Sequence, residues 1–189
     1  MKVSKLIRQL GAEEIAKRLF VTNGVDALLS TIGVVTGTFV ATHQTDPKVY
    51  LGASLGGALS LGLLSGFLGV YLTERSERKE ELEEMEKEIM GDLSHSVYAK
   101  ATNYLALYVA FWSVLGSLGL PLVALSPFFA VYLSSLKSVD AVYASLAIAY
   151  AELAALGLYS GRSLKTALSY LGLGVAATLI AFALGDLLI

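Results

Sequence analysis

Long apolar runs alternate with short polar segments along the chain, and this pattern predicts five membrane-spanning helices. Each run is close to the length of about 20 residues that an α-helix needs to cross a hydrocarbon core. A segment in lipid must satisfy its own backbone hydrogen bonds, which favours helix over strand. The predicted spans are residues 19–41, 49–73, 102–125, 139–159 and 164–188.

Polar and proline-containing segments separate these runs. Residues 43–47 predict a short turn after the first span, and residues 160–163 predict a break before the last. Pro121 and Pro127 are expected to kink or end the third helix, because proline removes a backbone donor. Residues 128–136 are compatible with an extension of that helix or with a segment lying in the membrane interface.

Composition supports one membrane domain over residues 1–189. The chain is 55% hydrophobic and only 16% charged, whereas soluble domains average about 25% charged residues. Residues 1–18 predict an amphipathic cytoplasmic segment, and residues 74–100 predict a cytoplasmic acidic helix and loop that extend from the second span. The chain has no cysteine, which excludes disulfides and thiolate metal sites. A net charge of −2 offers no broad basic surface for nucleic acid.

Lysine and arginine positions predict the orientation, since these residues are more frequent on the cytoplasmic side. With five spans and a cytoplasmic amino terminus, only Lys48 and Lys137 fall outside. The other twelve lysines and arginines then fall inside. The carboxyl terminus is therefore expected outside, and a prokaryotic cell membrane is the expected location.

Asp26 is the main candidate for chemistry, because it lies inside the first apolar run. An ionisable group within a membrane span is costly and indicates a functional site. Asn23 and Ser30 lie on its helical face at i−3 and i+4. The alternative is a carboxylate that is protonated or tied to a neighbouring helix for packing alone.

Glu152 lies within the fourth span and raises the same question, with no partner visible in the sequence. His43 and His95 are single residues, which favours surface positions over metal ligation. Neither a nucleophile–base pair nor a phosphate-binding loop is visible. We therefore expect no enzymatic activity and no permanently bound cofactor.

The acidic segment after the second span predicts a helix that ends near Gly91. Its glutamates recur at helical spacing and are expected to form one continuous stripe with no Lys or Arg within it. Carboxylates suit divalent cations such as Mg²⁺, Mn²⁺ and Fe²⁺, although a solvated charged helix is the usual explanation for such a run. The stripe contains Glu74, Glu77, Glu81, Glu84 and Glu88.

Three pairs of glycines have the GxxxG spacing that lets membrane helices approach closely. They are Gly33/Gly37, Gly52/Gly56 and Gly62/Gly66. Packing within one subunit and contact between subunits both explain this spacing.

Several motifs in order resemble the vacuolar iron transporter family. Residues 25–31, continuing to Gly37, resemble the family's first-helix pattern NDGLVST…G. Residues 69–77 resemble the GGYLAAKSE end of its second helix, and the acidic helix follows immediately in both. Residues 120–127 resemble its third-helix proline segment, and residues 167–185 resemble its small-residue-rich last helix. The resemblance covers nearly the whole chain, as in a short prokaryotic-type member.

This resemblance implies a homodimer in the lipid bilayer that exports Fe²⁺ or Mn²⁺ from the cytoplasm, in exchange for protons. Its pathway would run between the first helices of two subunits. The resemblance assigns Asp26 to the pathway and the five stripe glutamates to a cytoplasmic metal site. Gly66 and Ala58 stand where many members have a methionine and a glutamate, and Glu152 is a candidate replacement ligand. The alternative is a non-transporting membrane protein that senses metal or acts as a scaffold.

Overall fold

A computed structural model describes residues 10–43, 46–133 and 137–187. Over these residues the chain is helical, without strands, and five helices are long and apolar enough to cross a membrane. The prediction of five helices with the length and hydropathy of membrane spans is therefore confirmed. The amphipathic segment predicted at the amino terminus lies largely outside the described residues, as do the centre of the first turn and the carboxyl-terminal residues 188–189.

The chain forms six helices within these ranges. The five long ones are α1 (Ala12–Thr42), α2 (Pro47–Ile89), α3 (Val97–Ala124), α5 (Ser138–Gly161) and α6 (Leu164–Leu187). The short helix α4 (Ser126–Leu133) follows a break at Leu125.

Local chemistry explains where several of these helices begin and end. The Asp46 carboxylate accepts a hydrogen bond from the Lys48 amide at 3.0 Å, and Pro47 occupies the first turn of α2, both common at helix starts. The Ser96 hydroxyl caps α3 by accepting from the Ala99 amide. Arg162 has a left-handed conformation with φ 50°, which ends α5.

Helix α2 continues without interruption from the apolar run into the acidic residues and ends at Ile89, where Met90 turns left-handed. Between Ser60 and Gly69 it widens to π-helix, and α3 widens similarly over Leu115–Gly119. The two wide segments pack against each other. π-Helical segments occur frequently at functional sites.

Helix α1 is the centre of the bundle and contacts α2, α3, α5 and α6. Half of the residues in an apolar 18-residue stretch of α1 are buried. In the corresponding stretches of α2 and α6, only 17% of the residues are buried. Large apolar side chains on α2 and α6 are therefore exposed at the surface. A membrane offers the apolar surroundings that such a surface requires.

The core lies on the faces of α1 that point toward α3 and α5. Leu28 and Ile32 of α1 pack with Leu153 of α5 in one buried cluster. Further along α1, Val35 packs with Tyr50 and Phe128, whose rings stack with centroids 4.8 Å apart. This contact anchors one face of α4 to the protein core, so residues 126–133 form a separate packed helix rather than an extension of the third span.

The three GxxxG pairs have different surroundings. A Cβ on Gly62 would lie 2.9 Å from Leu118 Cβ, and one on Gly66 would lie 2.5 Å from Ser117 Oγ. This pair therefore serves packing inside the subunit. Gly52 and Gly56 face open space instead.

Candidate functional site

Asp26 lies near the middle of α1, on its exposed face. The helix is 31 residues long, and Asp26 is about 21 Å from its start at 1.5 Å per residue. Thr22 and Ser30 lie one turn to either side and are exposed as well. Three oxygen-bearing side chains therefore follow one strip of α1 that stays exposed in the subunit, although α2 and α3 border part of it.

A cavity of about 100 Å³ adjoins the Asp26 side chain. It lies where α1 meets the π-helical parts of α2 and α3, and Asn23, Ser65 and Ser117 contribute its polar lining. A water molecule needs roughly 10–15 Å³ of such volume and two or more polar partners. The cavity is therefore large and polar enough for water or a partly hydrated ion.

Hydrogen bonds fix the polar side chains around this cavity. Asn23 Nδ2 donates to Ser113 Oγ at 2.6 Å, and Ser117 Oγ donates to the Ser113 carbonyl at 3.1 Å. Ser113 is fully buried. Gly66 has no side chain, and a Cβ there would collide with Ser117 Oγ. Glycine at this position therefore lets the Ser117 hydroxyl reach the cavity. Asn23 thus lines the same cavity as Asp26, in agreement with their spacing along α1.

Ser65, Ser113 and Ser117 were missed in the sequence analysis. Their hydroxyl groups within apolar runs could have marked them as candidates. Such residues often bond to the backbone of their own helix, however, so this feature alone does not identify a site. Only the packing of α1 between α2 and α3 identifies which of them face Asp26.

Ser30 borders a separate, smaller cavity of about 20 Å³ between α1 and α2. Ser54 and Ala58 also line it. The Ser54 hydroxyl is buried and has no hydrogen-bond partner among the described residues. Ser30 therefore shares the exposed face of Asp26 but not its cavity.

Glu152 lies on α5 and does not line the cavity beside Asp26. Its side chain is half-buried, and Oε2 is buried without a hydrogen-bond partner in the part of the chain described. The structure therefore does not bring the two predicted intramembrane carboxylates to one cavity.

The expectation of a stripe free of basic residues is wrong. Arg78 falls between Glu74 and Glu81, and its Nη1 lies 3.0 Å from Glu81 Oε2. Glu74 and Arg78 are both buried where α2 leaves the apolar region. Arg78 lies at i+4 from Glu74 and i−3 from Glu81, so the same helical spacing that aligned the glutamates also aligned this cation.

The outer part of the stripe lies beside the start of α3. Glu81, Glu84 and Glu88 border an open depression together with Tyr98, whose hydroxyl donates to Glu81. Glu77 is exposed on the same helix. Within residues 10–43, 46–133 and 137–187, no three acidic or histidine side chains are arranged to hold a metal ion.

The turn that follows α2 is stabilised by its own carboxylates. Glu86 Oε1 accepts from the Leu93 amide at 2.8 Å. The Ser94 amide donates to Asp92 and holds the pKa of that carboxyl below its usual value. Glu86 and Asp92 therefore stabilise the turn, so not every carboxylate of the acidic segment is a candidate metal ligand.

The chain is 32% identical over 178 residues to MJ0645, an uncharacterized protein of Methanocaldococcus jannaschii. The chain belongs to the family of this archaeal protein. The match covers 90% of the chain and 86% of the relative, so it extends through the spans and is not confined to a single motif. No family model and no solved structure matches the chain. The likeness to the vacuolar iron transporters therefore depends on the sequence motifs alone.

Proposed function

We propose that the chain is a divalent transition-metal transporter that exports Fe²⁺ or Mn²⁺ from the cytoplasm. The observation that carries this proposal is the exposed Asp26 carboxylate, about 10 Å into the apolar run that starts at Leu19 and next to a polar cavity. A charge at this depth requires water, a cation or a protein partner. A cation that stops beside Asp26 would meet this requirement.

The proposed transporter is a homodimer. The strip of Thr22, Asp26 and Ser30 is exposed in one subunit, and a second copy related by a two-fold axis would cover it. Such an interface would bring the Asp26 side chains of both subunits to one pathway. The cavity that Asn23 and Ser117 line in each subunit would lie beside it. Carboxylate, amide and hydroxyl oxygens together suit hard and borderline divalent cations.

The proposed direction follows from charge. The lysine and arginine asymmetry favours a cytoplasmic position for the acidic end of α2. Glu77, Glu84 and Glu88 are exposed there and would raise the local concentration of cations. Because protons compete with metal for carboxylates, a more acidic exterior would favour release outside and couple export to proton entry.

The test is metal flux into liposomes that contain the purified chain. We expect Fe²⁺ or Mn²⁺ flux that depends on a proton gradient and falls to background in Asp26→Asn. Asp140→Asn is the matched control, because Asp140 is an exposed carboxylate at the start of α5, and it should transport normally. Undiminished flux in Asp26→Asn would reject the assigned role.

A non-transporting metal-sensing or scaffold protein is the second candidate. Arg78 and Tyr98 already bind Glu81, and the described residues of one subunit hold no three-ligand metal group. This candidate predicts that wild-type liposomes show no flux under any gradient. Metal binding alone would not distinguish the two candidates, whereas flux does.

A further inference from the structure

A second, larger cavity of about 500 Å³ lies where the start of α1 meets α3 and the end of α5. Its volume falls within the range of about 300–1,000 Å³ that is typical of small-molecule sites. Acidic, basic and aromatic side chains share its wall. They are Glu13, Glu14, Lys17, Tyr108, Trp112 and Tyr159.

One residue of α1 fixes the aromatic part of this wall. Phe20 packs edge-on against Trp112, with ring centroids 5.9 Å apart, and against Tyr159 at 6.1 Å. Tyr108 in turn packs against Trp112 at 6.4 Å. Because the rings come from three helices and share contacts, the wall is preorganised.

The wall carries charged groups of both signs. Lys17 Nζ lies 4.8 Å from the centre of the Tyr159 ring, and Glu13 and Glu14 of the first turn of α1 lie one turn before Lys17. A ligand that carries an anion and a cation close together would match this wall. The anion would approach Lys17, and the cation would approach the carboxylates and the electron-rich ring faces.

The position of the cavity indicates the source of such a ligand. Lys17 lies two residues before the apolar part of α1, which starts at Leu19, and Tyr159 lies in the last turn of α5. Tyrosine and tryptophan concentrate at membrane–water interfaces. The cavity therefore lies at the depth of lipid headgroups.

We propose that this cavity binds the headgroup of a zwitterionic phospholipid that has a primary ammonium, of the phosphoethanolamine type. Lys17 binds the phosphate, and Glu14 accepts N–H groups of the ammonium beside Tyr108 and Trp112. A quaternary ammonium has no N–H to donate, so it binds more weakly. The site is distinct from the cavity at Asp26 and does not depend on metal transport.

The test uses the full chain in detergent, with bound lipid counted by native mass spectrometry. We expect one phosphatidylethanolamine per subunit, bound about tenfold or more tightly than phosphatidylglycerol or phosphatidylcholine, because charge-assisted hydrogen bonds to the ammonium are lost with either. Lys17→Gln should weaken phosphatidylethanolamine binding by about tenfold. Lys165→Gln is the matched control, since Lys165 is an exposed lysine at the start of α6 outside this wall.

Glu14→Gln provides an independent variant, and it should reduce the preference for phosphatidylethanolamine over phosphatidylglycerol. Equal binding of the three lipids would overturn the proposal, as would variants that bind like the wild type. Soluble phosphoethanolamine that competes as well as the lipid would overturn the membrane source of the headgroup.

Discussion

Gly116 shows how a single residue permits the central helix crossing. A Cβ at this position would collide with the Phe20 carbonyl oxygen and lie 3.1 Å from the Gly24 amide nitrogen. Both are backbone atoms of α1, so no rotamer change relieves the clash. The close approach of α1 and α3 therefore requires glycine here.

We predict that Gly116→Ala destabilises the fold by about 1–3 kcal/mol, the usual cost of overpacking. The measurement is the free energy of unfolding in detergent. Gly172→Ala on α6 is the control, because its Cβ would meet nothing within 4 Å, and it should be neutral or stabilising by up to about 1 kcal/mol. Equal stability of the two variants would contradict the close approach.

The Asn23–Ser113 hydrogen bond is the second residue-scale feature, because it joins α1 to α3 beside Asp26. We predict that Ser113→Ala costs about 1 kcal/mol, in the range of hydrogen bonds between membrane helices. A double-mutant cycle with Asn23→Ala should give a coupling energy of about 0.5–1 kcal/mol. Ser169→Ala is the control, since the Ser169 hydroxyl bonds only within its own helix α6 among the contacts described. Additive effects of the two changes would show that the bond does not form.

At the scale of elements, the Glu81 carboxylate links the acidic end of α2 to α3. Glu81 accepts from Arg78 within α2 and from Tyr98 of α3. The turn that follows is closed by Glu86 and Leu93. This end of the helix therefore has tertiary contacts as well as its own backbone bonds.

We predict that Glu81→Gln accelerates amide hydrogen exchange severalfold in the last turns of α2, since local opening there becomes easier. Glu80→Gln, at an exposed neighbouring position, should leave exchange unchanged. Equal protection in both variants would show that the Tyr98 contact does not hold the helix.

At the scale of the whole molecule, the exposed strip on α1 matters most, because the proposed dimer would bury it. The chain has no cysteine, so single cysteines report contacts without background. Ser30 lies on the strip, one turn from Asp26, whereas Leu173 is exposed on α6.

We predict that Ser30→Cys forms covalent dimers in membranes with a short thiol cross-linker, because the two-fold axis would pass close to this residue. Leu173→Cys should remain monomeric on denaturing gels. Equal cross-linking of the two variants would indicate random collision, and none in Ser30→Cys would contradict the proposed interface.

The sequence by itself determined the five long apolar helices, since hydrophobic length and the chemistry of helix ends are local properties, whereas it left the short helix α4 undecided. Runs of apolar residues set the five spans, and Asp46, Ser96 and Arg162 are found at the helix ends. The sequence also identified Asp26 with Asn23 as a pair, because both lie on one face of one helix. It should also have revealed Arg78 within the glutamate stripe, since the spacing is the same.

Only the tertiary structure decided which residues of different helices meet. Ser117 reaches the cavity beside Asp26 because α3 packs against Gly66, and Glu152 is left outside it. Neither position relative to the cavity can be predicted from the periodicity of a single helix. Helix packing depends on surface shapes that combine side chains distant in the chain, so contacts between helices arise only when the bundle assembles.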